Sequence, residues 1–314
     1  MPENAMVLEV APEQAGRTLQ ALLHDLGGFS HAEARGLIDA GAVHGPKAAV
    51  PPGDYARRVA AGERYEVRPE PGRRYRPRAL PRPGRGYRVV HQDRDLLVVE
   101  KHPDLLSVPT SLREEEESLV ERLLEAERRR GVRRPALYAL HRLDRDTSGL
   151  LLFARTRRAF EGLQEQFVAR AVDRRYLAVA EGSIEPERGR FAGRLIEDPK
   201  SLKMRPARRR EEGKEAITEY EVTERLPGAT VLSVRLRTGR KNQIRVHLAE
   251  AGHPLVGDRR YGRSSPLIGR TALHARWLGF EHPVTRRPAS FESPVPRDIR
   301  RLIKALRRGV LQYP

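Results

Sequence analysis

The chain has 314 residues, with 60 Lys plus Arg against 42 Asp plus Glu, a formal charge of +18 and a sequence pI of about 10.8. That surplus predicts a polyanionic partner, and 53 of the 60 cations are Arg, whose planar fork matches phosphate oxygens. The lack of Cys excludes disulfides, thiolate zinc sites and cysteine nucleophiles, while 39% hydrophobic residues exclude wholesale disorder and no apolar run nears the roughly 20 residues of a membrane span.

The first 15 residues read as an N-terminal tail without the basic-then-apolar pattern of a signal peptide, so a soluble cytoplasmic protein is expected. Residues 16–68 read as a small α/β module. Leu19, Leu22, Leu23 and Leu26 lie at helical spacing, and Gly27-Gly28 closes that helix. Ser30 with Glu33 forms a capping box for a second helix whose apolar face is Ala34, Leu37 and Ile38. Short strands follow around Ala42-Val43 and Tyr65–Val67.

Residues 69–86 hold five Pro with Arg73, Arg74, Arg76, Arg78, Arg82 and Arg85 interleaved, which predicts an extended linker. It reads either as a plain spacer or as a phosphate track, with Arg73, Arg74 and Arg76 meeting RNA.

Residues 87–314 read as one larger domain. Strands are predicted at Leu96–Val99, Leu150–Ala154, Tyr176–Ala180, Ile217–Val222 and Thr230–Leu236. Helices are predicted at Leu119–Glu127, behind a Ser118/Glu121 capping box, and at Arg157–Ala169, Asn242–Ala251 and Asp298–Arg307. Strands outnumber helices and do not alternate with them, which argues an α+β fold with a mixed, largely antiparallel sheet. No phosphate-binding Gly-rich loop occurs. Lys200–Lys214 carries charge without apolar period and reads as an exposed basic loop.

Two polar clusters stand out. ALHRLDRDTSGLLLFA (139–154) crowds His141, Arg142, Asp144, Arg145 and Asp146 into a turn before a buried strand, where carboxylates need partners. TGRKNQIRVHLAEAGHPLVGDRRYG (238–262) runs from a strand end into a helix, with Gly239 at the tight turn. Ile244 and Leu248 face the core there, leaving Arg245 as a rigidly placed cation suited to a buried carboxylate.

HRLDRDTSGLLLFA resembles the signature of the RluA-type RNA pseudouridine synthases. LVVEKHPDLLSVP (97–109), RYLAV (175–179), the Thr238–Gly262 stretch and ALHARWLGFEHP (272–283) resemble the family's other motifs, in the family's order. The N-terminal module more loosely resembles an S-four-type RNA-binding domain. The chain departs from the family with Lys101-His102-Pro103-Asp104 for Lys-Pro-x-Gly, and with Asn242 where His is usual. Neither departure is expected to touch the residues that do chemistry.

The resemblance implies a pseudouridine-synthase-like catalytic domain that isomerises uridine to pseudouridine in RNA, ribosomal RNA being favoured over transfer RNA. It implies Asp144 as nucleophile, Arg245 as the partner that keeps it anionic, and Tyr176 stacked on the uracil of a flipped nucleotide. Arg142, Arg240 and Lys241 are the expected RNA contacts, although Arg142 alone reads equally as a surface ion pair. Asp146 is read as structural. His141 could be a general base, with a structural role preferred. No cofactor and no metal are expected, the spacing of His141, His247, His253 and His274 matching no zinc site. A monomer without membrane attachment is expected. A non-catalytic RNA-binding or ribosome-assembly protein on the same fold, and a DNA-binding regulator, are the competing readings.

Overall fold

The computed structural model describes residues 5–46, 48–50, 54, 55, 57–69, 86–109, 117–207, 209 and 212–309, without the side chains of 31, 32 and 39. Arg73, Arg74 and Arg76 lie outside these, as does almost all of the proposed linker. The chain divides into a unit of residues 1–83 and a unit of residues 84–314.

The first unit joins strands β1 (Met6–Glu9), β2 (Val43–His44) and β3 (Arg64–Val67) in the order β1-β3-β2 with helices α1 (Leu19–Asp25) and α2 (His31–Asp39). Of its two side-chain caps, the Ser30/Glu33 box is the one the sequence predicts. Thr18 accepts from the Ala21 N–H, and Ser30 and Glu33 close a capping box that contributes about 1 kcal/mol. Leu19, Leu22, Leu23, Leu37, Ile38, Tyr65 and Val67 form the core. The proposed tail of residues 1–15 is corrected here. β1 pairs antiparallel with β3, and Leu8 and Val10 turn inward while Val7 and Glu9 face out. Four alternating residues are a two-period signal, too short to stand out in sequence.

The second unit is built on one 11-stranded sheet. Its strands are β4 (Tyr87–Gln92), β5 (Leu96–Lys101), β6 (Tyr138–Ala139), β7 (Ser148–Ala154), β8 (Asp173–Glu181), β9 (Arg188–Glu197), β10 (Met204–Pro206), β11 (Lys214–Leu226), β12 (Ala229–Leu236), β13 (Leu273–Glu281) and β14 (Pro288–Glu292). The order is β10-β9-β11-β12-β8-β13-β7-β5-β4, with β14 on β13 and β6 on β7. Every neighbouring pair is antiparallel except β13 with β7. This is the mixed, largely antiparallel α+β sheet read from the sequence.

Helices α3 (Leu119–Arg129), α4 (Arg157–Val168), α5 (Gln243–Glu250) and α6 (Arg297–Arg307) cover it. Leu119 and Leu123 of α3 and Ile244 and Leu248 of α5 share one core with Leu97, Phe153, Tyr176, Leu232 and Leu273. Ala159 and Leu163 of α4 pack on Leu96, Val98 and Leu152, and Ile299, Leu302 and Leu306 of α6 on Leu177, Val179 and Val231. Alternate residues of the same strands thus serve different cores. Among the described residues, no helix is long and apolar enough to cross a membrane.

The predicted basic loop Lys200–Lys214 is also corrected. Met204–Pro206 forms edge strand β10 against β9, and Met204 is buried with Leu195, Ala216 and Val246. One buried Met among many charges leaves no period to read. Gly149, at φ 119°, lets the parallel pair β7–β13 close, since a Cβ there would meet the Ala275 carbonyl oxygen at 2.2 Å.

Candidate active site

Asp144 sits on a turn that is fastened on every side. Its own carbonyl accepts from the Thr147 N–H at 3.1 Å. Before it, Leu143 is buried and clamped by Ser107, whose Oγ donates to the Leu143 carbonyl at 2.7 Å and accepts from its N–H at 3.0 Å. After it, the Arg145 carbonyl accepts from Lys101 Nζ at 2.8 Å and the Asp146 carbonyl from Arg270 Nη1 at 3.2 Å. Lys101 is fully buried and also donates to the carbonyls of His102 and Leu105. Burial pulls its pKa down to about 7, against the charges of Asp144 and Asp146. Asp104, at φ 62°, completes the loop by pairing with Arg145 at 2.8 Å.

Helix α5 brings Arg245 to this turn. Arg245 Nη1 donates to Asp144 Oδ2 at 3.0 Å, while Nε and Nη2 fork onto the two oxygens of Asp258 at 2.7 Å each. Asp258 is fully buried, and its Oδ1 also accepts from the Arg260 and Tyr261 N–H groups. Burial alone disfavours the Arg245 charge, but the hydrogen bonds it donates to Asp258 and the two carboxylate charges outweigh it and hold its pKa well above the usual range. The Tyr261 ring lies 5.3 Å from the guanidinium carbon.

Asn242 contradicts the expectation that the sequence departures stay clear of the chemistry. At φ 52° it is the left-handed residue of the strand-to-helix turn, a position the sequence reading gave to Gly239. It stands at the N-cap of α5 yet makes no side-chain cap. Its Nδ2 instead donates to Asp144 Oδ2 at 2.6 Å, and its Oδ1 accepts from the Tyr261 hydroxyl at 3.3 Å. Oδ2 therefore carries two donors, while Oδ1 of Asp144 accepts no hydrogen bond among the described residues.

Tyr176, on β8 between Val234 of β12 and Ala275 of β13, lines the same cavity as Asp144, Arg245, Arg142 and Arg240. It is 6% exposed, and burial raises its hydroxyl pKa, keeping the phenol neutral. Arg142 stands exposed at the rim. Arg240 donates from Nε to the Glu215 carbonyl at 2.8 Å. Lys241 is turned away, paired with Glu197 of β9.

His141 is not placed to act as a base. Its Nε2 accepts from the Leu152 N–H at 3.1 Å, its ring packs on Phe167, and burial with the nearby Arg174 charge pulls its pKa to about 3. Asp146 acts on Lys101 through its charge and does not line the cavity. The sequence reading missed Asp258, Tyr261 and Asn242 as members of the site. The quoted stretch GDRRYG contains the first two, and the partner each takes is set only when α5 folds back. Among the described residues, no cluster of three His, Asp or Glu is arranged to hold a metal.

Residues 95–250 match the model of the RNA pseudouridylate synthase family. The chain is 38% identical over 228 residues to the uncharacterized RNA pseudouridine synthase YlyB of Bacillus subtilis, covering 70% of this chain and 73% of that one. It is 32% identical to a ribosomal large subunit pseudouridine synthase D of Nitrosomonas europaea, covering 97% and 89% respectively. Its fold is similar to that of human RNA pseudouridylate synthase domain containing 4, with a TM-score of 0.58 at 24% identity over 70% of this chain and 92% of that one.

Proposed function

Given that the chain belongs to the RNA pseudouridylate synthase family, we propose that it isomerises chosen uridines of large-subunit ribosomal RNA to pseudouridine, with Asp144 as the nucleophile. The observation that carries the assignment is the Asp144–Arg245–Asp258 chain beside the Tyr176 ring in one cavity. A nucleophilic carboxylate must be anionic, fixed and partly desolvated. Arg245 keeps the charge, Asn242 and Arg245 together fix Oδ2, and Oδ1 is left to face the reacting nucleotide.

The reaction breaks the bond between N1 of uracil and C1′ of ribose, turns the base and forms a bond from C5 to C1′. C5 loses its hydrogen and N1 gains one, so nothing else is consumed. The target nucleotide is flipped from its stack into the cavity. Tyr176 stacks on the uracil face, and its neutral hydroxyl is available to the closing proton transfer. Arg142 and Arg240 at the rim hold the RNA on either side.

The relative named for the ribosomal large subunit aligns along nearly the whole chain, which favours ribosomal RNA. We read the first unit, two capped helices on a three-stranded sheet, as the S-four-type module that helps hold that RNA, and the catalytic unit as RluA-type. The work then belongs in the cytoplasm and calls for one copy of the chain. A non-catalytic RNA-binding role leaves the doubly held carboxylate without a purpose.

The test is pseudouridine mapping after incubating the purified protein with unmodified large-subunit ribosomal RNA and with unmodified transfer RNA. New pseudouridine in the ribosomal RNA is expected. Modification of transfer RNA alone overturns the substrate, and none in either overturns the activity.

A further inference from the structure

We propose that Arg174, two residues before Tyr176 on β8, is a binding residue for a single RNA phosphodiester beside the flipped nucleotide. The inference deepens the RNA-modifying reading and rests on it.

Three other little-exposed arginines of this unit are paired with carboxylates. Arg155 is paired with Glu127, Arg245 with Asp258 and Arg270 with Asp298. Arg174 has none among the described residues, and its Nε is buried without any hydrogen-bond partner. Its guanidinium carbon lies 5.2 Å from the centre of the Phe167 ring, which orients the fork without neutralising it. A partly buried cation without an anion is costly, and desolvation lowers its pKa accordingly.

The fork ends against the turn that borders the cavity, although Arg174 does not itself line it. A Cβ built on Gly239 would stand 2.9 Å from Arg174 Nη1, so the end of this guanidinium lies against the exposed turn after β12. The next residue, Arg240, lines the catalytic cavity. The Arg174 charge also acts on both Tyr176 and His141, which places it within electrostatic reach of the cavity floor. Two parallel donors with no protein acceptor, next to the place where a nucleotide must sit, match the two free oxygens of a phosphodiester. The net charge of +18 supplies general attraction, whereas this cation lies over Phe167 with no carboxylate partner among the described residues.

The test uses the full chain and a large-subunit ribosomal RNA fragment that the wild type binds, with Arg174→Met, which keeps the stem over Phe167, and Arg174→Lys. For Arg174→Met, RNA affinity is expected to fall on the order of tenfold, and the slope of log affinity against log salt to shrink by about 0.7–0.9, the signature of one lost phosphate contact. KM should rise more than kcat falls, and the free protein should melt no lower than wild type. Arg174→Lys should recover part of the slope. A lower melting temperature with an unchanged slope makes Arg174 structural and overturns the proposal.

Methylphosphonates placed singly along the RNA give an independent readout. One neutral linkage next to the target uridine should weaken wild type but leave Arg174→Met unaffected. If every neutral linkage weakens both proteins equally, the proposal fails. Absence of pseudouridine with the wild type would count against the enzymatic reading alone, because affinity and slope still score Arg174.

Discussion

Asn242 donates from Nδ2 to Oδ2 of Asp144 across 2.6 Å, from a left-handed turn that aims it away from the helix it would otherwise cap. A hydrogen bond to a charged group contributes about 1.5–3 kcal/mol, or roughly 10- to 150-fold in rate if it holds the reactive geometry. Asn242→Ala should therefore lower kcat by that range with RNA affinity kept, and Asn242→Asp should lower it further by setting a second carboxylate against Asp144. Single-turnover rates at saturating RNA check this, and wild-type rates in both variants contradict it.

Arg245 is the only described cation that bridges Asp144 and Asp258. Arg245→Ala leaves a fully buried carboxylate unpaired, which costs about 3–5 kcal/mol, so the melting temperature and the activity should fall together. Arg245→Lys keeps a charge but cannot fork onto Asp258 while reaching Asp144, and should restore stability better than rate. Asp258→Asn should lower kcat although Asp258 never meets the RNA. Denaturant unfolding alongside single-turnover assays separates these outcomes.

Three histidines make the fold acid-sensitive. Burial pulls His141 to about 3, with Arg174 adding to the effect, and pulls His247 and His274 to about 4. The unfolded chain takes up these protons near pH 6.5, whereas the folded chain resists until about 3–4. Stability present above pH 6.5 is thus lost as pH falls through that window, by about 1.4 kcal/mol per pH unit for each histidine. Urea unfolding at pH 7.5, 5.5 and 4.5 should show the decline, and His141→Gln should make it shallower by one proton. An unchanged slope in that variant contradicts the assignment.

Gly149 tests the link between sheet and site. Gly149→Ala drives a methyl into the backbone of Ala275 and puts an alanine at φ 119°, so a loss of several kcal/mol is expected. Because β7 follows directly from the Asp144 turn, activity should fall in the fraction that stays folded. Thermal melting and hydrogen exchange of the β7 and β13 amides report it.

The sequence carried much of this arrangement in local signals. The capping residues Ser30 and Ser118, the strand 150–154 and the helix behind Arg245 all follow from spacing within a few residues. Only the family resemblance pairs Asp144 with Arg245, whose 3.0 Å contact spans 101 residues of chain. The unread parts are non-local. β1 is held by a strand 55 residues later, the parallel register of β7 with β13 has no turn to announce it, and Asp258 looks like one more surface acid until its partner covers it. The contact of Asn242 is not legible in sequence because it depends on a backbone angle, which residue type does not fix.

The central claim is that Asp144 is the attacking group, and one measurement tests it most directly. Asp144→Asn keeps the size and the turn but removes the anion. Incubated with the ribosomal RNA that wild type modifies, it should bind with wild-type affinity and form no pseudouridine in single-turnover mapping. Pseudouridine formed at a rate within tenfold of wild type would contradict the account.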